Sequence, residues 1–270
     1  MPPHYVRADV KTNKHDAADA EACCEAVQRP GMRFVAIKSE DQQAMAMLHR
    51  VRDQLMRQRT ATIPGLGHWA LRAIWPSLGS WRPSARPAGA ALLAVLGDLE
   101  DGRIPPLARE VLQTLADQLR DLEGRLAELD RRLVALTRSD PLCRALAELP
   151  GVGPVIATAF VAPVPDAARF HSGRHLAAWL GLVPAQHSTG GTPRPLGLSE
   201  RGDAYLRRQL MHGARALVKV SRGRPDRLGA WIDGLLARRP FNVVVAAVAN
   251  KLARIIWAML CRGETCRAAV

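Results

Sequence analysis

The stretch LQTLADQLRDLEGRLAELDRRLVAL, residues 112–136, decides the fold. Its leucines, Leu112, Leu115, Leu119, Leu122, Leu126, Leu129, Leu133 and Leu136, recur at alternating steps of three and four, the seam of a coiled coil. Arg120, Asp121, Arg125, Glu128, Arg131 and Arg132 fall between them and suit solvated flanks. Such a seam requires a partner. It is either the basic helix expected within residues 40–60 of the same chain or a second copy, which would make a homo-oligomer. Pro141 closes the segment.

Before the seam, residues 61–88 hold three of the six tryptophans and many Pro and Gly without a sustained period, and are expected to be disordered. They read as a linker or as a stretch translated in a shifted frame. DQQAMAMLHRVRDQLMRQRT, residues 41–60, predicts a helix with Met45, Leu48, Val51 and Leu55 as its apolar stripe. RFVAIKS, residues 33–39, predicts a short strand or extended link. Farther upstream, KTNKHDAADAEA predicts a helix beginning near Asn13 as N-cap, with Asp16 and Asp19 three apart on one face. Such a pair favours the positive end of a helix, and it also suits Mg²⁺, a hard cation that takes oxygen ligands.

After the seam, CRALAELPGVGPVIATAFVA predicts a helix ending at Pro150, a turn through Gly151, Val152 and Gly153, and a second helix from Pro154. The pattern is similar to a helix-hairpin-helix, whose glycine turn presents N–H groups to a DNA phosphate. A helix led by Ser172 or Arg174 follows, carrying Leu176, Trp179 and Leu180 inward. His171, His175 and His187 lack zinc-ligand spacing.

Next comes GLVPAQHSTGGTPRPLGLSERGDAYLRR, residues 181–208, expected to be a loop that passes into a basic amphipathic helix. Ser188 and Thr189 stand beside Gly190 and Gly191, which admit close backbone approach to a phosphate. Arg194, Arg201, Arg207 and Arg208 add positive charge. That combination suits chemistry on a phosphodiester.

Composition supports a helical, polyanion-binding protein. Ala, Leu and Arg dominate, aromatic residues make up 4%, and the formal net charge is +13. Nucleic acid is the leading partner. The five cysteines include no CxxC pair and read as reduced thiols. No apolar signal core opens the chain, and Asn250, Lys251 and Arg254 interrupt its most apolar stretch. The expectation is a cytoplasmic protein outside the membrane.

Together, KTNKHDAADAEA, the leucine seam, LPGVGPVIATA, AAWLGLVPAQHSTGG and LSERGDAYLRRQLMHGA resemble one family. It is the insertion-sequence transposases that join a RuvC-like DEDD nuclease domain to a C-terminal serine domain, the group of the pilin-inversion and bridge-RNA-guided recombinases. The resemblance implies a mainly α chain divided into a RuvC-like (RNase H-like) α/β remnant over 1–60, a linker over 61–88, a coiled coil over 89–140 and a helical domain with a helix-hairpin-helix over 141–270. It implies Asp16 as a Mg²⁺ ligand with Asn13 or Asp19 as a second, and Ser188, or Thr189 one position on, as the nucleophile. Gly151, Gly153, Gly190, Gly191, Arg194, Arg201, Arg207 and Arg208 would meet DNA, and a structured guide RNA is a further implied partner. The family's earlier Asp- and Glu-bearing strands have no counterpart ahead of Lys11, so a truncated, inactive transposase is expected. The alternative is a non-catalytic nucleic-acid-binding protein that dimerises through the seam.

Overall fold

The computed structural model describes residues 6–7, 10, 15–30, 34, 37–78, 105–162, 164, 167–187, 195–224 and 226–262, and these are mainly helical. They divide into two compact units, Met1–Ser39 and Glu40–Val270.

In the first unit, helix α1 spans Asp16–Gln28 and buries Ala22 and Ala26. Its N-cap is His15, whose Nδ1 accepts a hydrogen bond from Ala17 N at 3.2 Å. The helix therefore begins later than an Asn13 cap would place it, and Asn13 lies outside the described residues. An imidazole nitrogen satisfies one orphan N–H of the first turn as a carboxamide would. Among the described residues of 33–39 no strand forms.

The second unit opens with a long helix pair. Helix α2 runs Glu40–Leu78 and α3 runs Pro106–Ser139. Arg52 meets Asp130 and Arg59 meets Glu123, both seven residues apart in opposite directions, so the helices are antiparallel. The seam is thus occupied from within the chain. Leu112, Leu119, Leu122, Leu126 and Leu133 are buried, whereas Leu115, Leu129 and Leu136 are only half-buried. Ala116 and Thr137 take core places instead, the drift expected when a helix of 3.6 residues per turn carries a 3.5 repeat. The Thr137 hydroxyl is satisfied there by Leu133 O at 2.8 Å.

Two expectations on α2 require correction. Helix α2 does not break at residue 61 but continues through Leu78, so the disordered linker expected at 61–88 is helical in its first part; residues 79–88 lie outside the described residues. Val51 is exposed, and His49, one position off the expected stripe, is buried.

Asp140 ends α3 and begins α4, Pro141–Ala147. A residue preceding proline avoids the helical region, and Asp140 is extended at φ −95°, ψ 119° while its Oδ1 accepts from Cys143 N at 2.9 Å. Helix α5, Pro154–Val161, starts with its proline in the first turn, where no N–H is missed. Then follow a 3₁₀ turn at Ala167–Arg169, α6 at Gly173–Trp179, strands β1 at Pro184–Gln186 and β2 at Pro195–Leu198, and α7 at Ala204–Val220. Helices α8, Arg227–Leu236, and α9, Phe241–Arg262, complete the unit.

Helix α9 is the centre of the core. It packs against α4, α6, α7 and α8 and buries Val244, Val245, Val248, Ala249, Leu252, Ala253 and Ile256. By length and composition Phe241–Cys261 could cross a membrane, but its polar residues have internal uses. Asn250 Nδ2 donates to Leu182 O at 3.0 Å, and Lys251 Nζ sits 4.2 Å from the Trp231 ring centroid.

Cys143 belongs to this core. Burial, and secondarily the Asp140 carboxylate, push its thiol up to about 12, while Cys23 and Cys24 are exposed. Iodoacetamide at mildly alkaline pH is expected to label Cys23 and Cys24 long before Cys143, with denaturant abolishing the difference. Equal labelling of Cys143 in the folded protein would contradict this packing.

Candidate nucleic-acid interface

The expected loop at 181–208 is a β-ribbon along part of its length. β1 and β2 pair antiparallel, Pro184 opposite Leu198 and Gln186 opposite Pro195, with an irregularity between. Ser188, Thr189, Gly190, Gly191 and Arg194 lie outside the described residues. The ribbon holds the two flanks of that stretch together.

The ribbon base is clamped to α6 and α7. Ser199 N donates to Val183 O at 2.8 Å, and Arg207 Nη1 donates to Leu180 O at 3.1 Å and Arg201 O at 2.9 Å. Gly202 has φ +77°, and a Cβ there would lie 1.8 Å from Trp179 O, so no side chain fits. Asp203 then caps α7, its Oδ1 accepting from Tyr205 N and Leu206 N at 2.8 and 3.0 Å.

The structure gives the nominated residues different circumstances. Arg201 is exposed on the ribbon base. Arg207 is committed to the two carbonyls above. Arg208 forms an ion pair with Asp53 of α2 and lies 5.5 Å from the Tyr205 ring centroid. Gly153 is exposed, with open space where a Cβ would stand, and caps α5. Gly151, at φ +84°, is packed against α7. In the first unit, Asp16 is exposed and Asp19 half-buried. Trp179, expected inward, keeps 38% of its surface in solvent and rests on Phe170.

Sequence reading missed a buried polar cluster joining α2, α3, α5 and α7. His49 Nε2 lies 3.0 Å from Thr158 Oγ1, and His49 Nδ1 lies 2.9 Å from Tyr205 Oη. The Thr158 hydroxyl donates to Pro154 O at 2.7 Å, so it accepts from Nε2–H, and Nδ1 accepts from the Tyr205 hydroxyl. Beside them Arg52 Nε donates to Asp130 Oδ1 at 2.6 Å. Burial first, then Arg52, hold the His49 imidazole down to about 4. Burial pushes the Tyr205 phenol up to about 12, with Asp53 also raising it against Arg52 and Arg208. The available signal was arithmetic: Arg52 and Arg59 stand seven apart, as do Glu123 and Asp130.

Charge is concentrated in the C-terminal helical part. Residues 141–262 hold 17 Lys and Arg against 6 Asp and Glu, a surplus of eleven within a chain total of +13. Three of the six acids are occupied by architecture. Asp203 and Asp226 cap helices, and Asp233 Oδ2 accepts from Gly223 N at 3.1 Å. Arg144, Arg174, Arg201, Lys219, Arg222 and Arg227 are exposed. A surface so composed attracts polyanions.

This region also carries the match to a family model, and similarity to individual proteins extends over nearly the whole chain. The profile of the Transposase IS116/IS110/IS902 family matches residues 143–227. A Pseudomonas aeruginosa protein named as a probable family 20 transposase is 47% identical over 98% of this chain and 77% of its own length. The transposase for insertion sequence element IS1328 of Yersinia enterocolitica is 38% identical over 97% of this chain and 76% of its own length. The transposase for insertion sequence element IS1111A of Coxiella burnetii is 37% identical, with 98% and 71% covered. Identity at this level over nearly the whole chain, added to the profile match on the ribbon-bearing domain, places the chain in the IS116/IS110/IS902 family of insertion-sequence transposases.

Proposed function

We propose that the chain binds DNA through its C-terminal helical domain and acts on the phosphodiester backbone from the stretch carried by the β-ribbon, working in the cytoplasm. The observation that carries this reading is the surplus of eleven positive charges over 141–262, with Arg144, Arg174, Arg201, Lys219, Arg222 and Arg227 exposed. Arg201 and the exposed glycine turn at Gly153 are the contacts favoured by position, the turn acting as a helix-hairpin-helix. Arg207 and Arg208 act indirectly, by fixing the ribbon base and docking α7 on α2.

Ser188 is the proposed nucleophile, with Thr189 as the alternative. Its Oγ bonds to phosphorus as the bond to one flanking deoxyribose oxygen breaks; the serine proton passes to solvent and the released sugar oxygen takes one up. Asp16 and Asp19 have the donor chemistry for Mg²⁺, which would supply charge to the leaving oxygen. Two carboxylates fall short of a full ligand set, and among the described residues no group of three acidic, His or Cys side chains converges. A structured guide RNA is compatible with the same basic surface.

Covalent capture tests the reading. The full chain is incubated with Mg²⁺ and labelled element-end DNA, then resolved under denaturing conditions beside Ser188→Ala. Any protein–DNA adduct that the parent forms despite its missing acids is expected to be absent from Ser188→Ala, with binding unchanged. An adduct that survives in Ser188→Ala sinks the nucleophile. Salt-sensitive DNA retention without any adduct would establish a binding protein instead, and meeting about six phosphates predicts roughly a thousandfold loss of affinity between about 50 and 200 mM salt.

A further inference from the structure

Four rings run in series along one edge of the C-terminal helical part. His171 stacks on His175 at 5.6 Å and 11°, Phe170 meets the His175 edge at 5.5 Å, and Phe170 meets Trp179 at 5.5 Å and 61°. His171, His175 and Trp179 follow at steps of four, which places them along one side of α6 and its leading turn. The series is held from behind. Trp257 Nε1 of α9 donates to both Ala167 O and Phe170 O at 3.0 Å, and Ser172 Oγ accepts from His175 N at 3.3 Å.

The ends of the series face solvent. His171 is exposed, and Trp179 is exposed although a partly apolar ring of that size gains by burial. Its surroundings are cationic. Arg174 is exposed on the same short helix, and Arg201 is exposed immediately before Gly202, the residue packed on the Trp179 carbonyl. An aromatic series exposed at its two ends and rimmed by guanidinium groups matches what an unpaired strand presents, π-faces strung on phosphates. Duplex DNA hides those faces, so its phosphates would use the arginines but not the rings.

We infer that His171 and Trp179, backed by Phe170 and His175, form a base-stacking platform that takes unpaired DNA beside the ribbon. The inference rests on the DNA-binding reading above. It adds that the strand is held single at this edge, as a strand opened for exchange must be.

The test compares the full-length parent, Trp179→Leu and Trp179→Phe on a labelled oligothymidylate and on a duplex of equal length. Trp179→Leu is expected to bind the single strand about 5- to 100-fold more weakly, the effect of losing one base–aromatic stack, with duplex affinity unchanged. Trp179→Phe is expected to retain most of the single-strand affinity. Ultraviolet cross-linking of bromodeoxyuridine strands to the parent, with peptide mapping, reads the contact without any substitution and is expected to mark the peptide containing Trp179. Undiminished single-strand binding by Trp179→Leu overturns the platform, as does an equal loss on the duplex or cross-links mapping elsewhere. Failure of the parent to bind even duplex DNA would instead overturn the broader reading.

Discussion

Lowering the pH from 7 to about 4.5 is expected to cost the folded protein about 2–3 kcal/mol through His49 alone. The imidazole is held at about 4 in the folded state against an ordinary value of 6.5. The unfolded chain therefore takes up a proton between those values and the folded chain does not. Stability contributed by neutral His49 is complete above the unfolded pKa and is lost as the pH falls through the window from 6.5 to 4. The geometry gives the cause, since Nε2–H is donated to Thr158, Nδ1 accepts from Tyr205, and Arg52 stands beside the ring. A second ring proton would force the Tyr205 hydroxyl to turn and would place a charge next to a guanidinium. Urea unfolding at the two pH values reads the effect, and His49→Gln should remove most of this component of the pH dependence while lowering stability at pH 7. A His49→Gln variant with the parent's full pH dependence would refute the assignment.

Two helical glycines should respond oppositely to the same substitution. Gly124 on α3 is exposed with open space around it, so Gly124→Ala is expected to stabilise by about 0.5–1 kcal/mol through backbone entropy. Gly213 on α7 faces the turn before α5. A Cβ there would lie 2.0 Å from Gly151 O and 2.7 Å from Ile156 Cδ1, and the first obstacle is backbone. Gly213→Ala is therefore expected to destabilise by about 2–3 kcal/mol despite alanine's better helix propensity, because α5 and α7 must separate. Gly151 cannot yield easily, being held at φ +84° with its own Cβ position 3.0 Å from Gly213 O. Thermal unfolding of the pair decides the matter, and a Gly213→Ala protein as stable as the parent would mean that this contact is absent.

What the sequence revealed and what it concealed divide along physical lines. The helical pattern at 112–136 was legible because a long amphipathic stripe repeats many times, and the restart at Pro154 because proline suits only the first turn of a helix. The seam's partner was not legible, because leucines do not name what they pack against; the Arg52–Asp130 and Arg59–Glu123 pairs do. Pro64, Gly65 and Gly67 weigh against helix locally and point to an end near residue 61, a penalty that the observed helix overrides. The buried His49 stands one position after Leu48 of the expected stripe, while Val51 turns outward, an offset easily missed where methionines and arginines surround the stripe. The ribbon was hidden because Pro and Gly populate both loops and short irregular hairpins. At the candidate site, the cationic character of Arg201 could be read directly, but the structural employment of Arg207 and Arg208 depends on carbonyls and a carboxylate that only folding brings near.

Helix α2, followed to its far end, is a lever. The residues that bind it to the C-terminal helices, His49 and Asp53, sit near its beginning, and Leu78 lies 29 residues beyond His49. At 1.5 Å per residue that is an arm of about 44 Å, longer than ten base pairs of duplex DNA. A rotation of about five degrees at the joint would carry the far end, and with it the α3 segment tied on through Arg59 and Glu123, through about 4 Å. The joint itself is polar, His49 with Thr158 and Tyr205 and Asp53 with Arg208, while the α3 helix directs the arm beyond it.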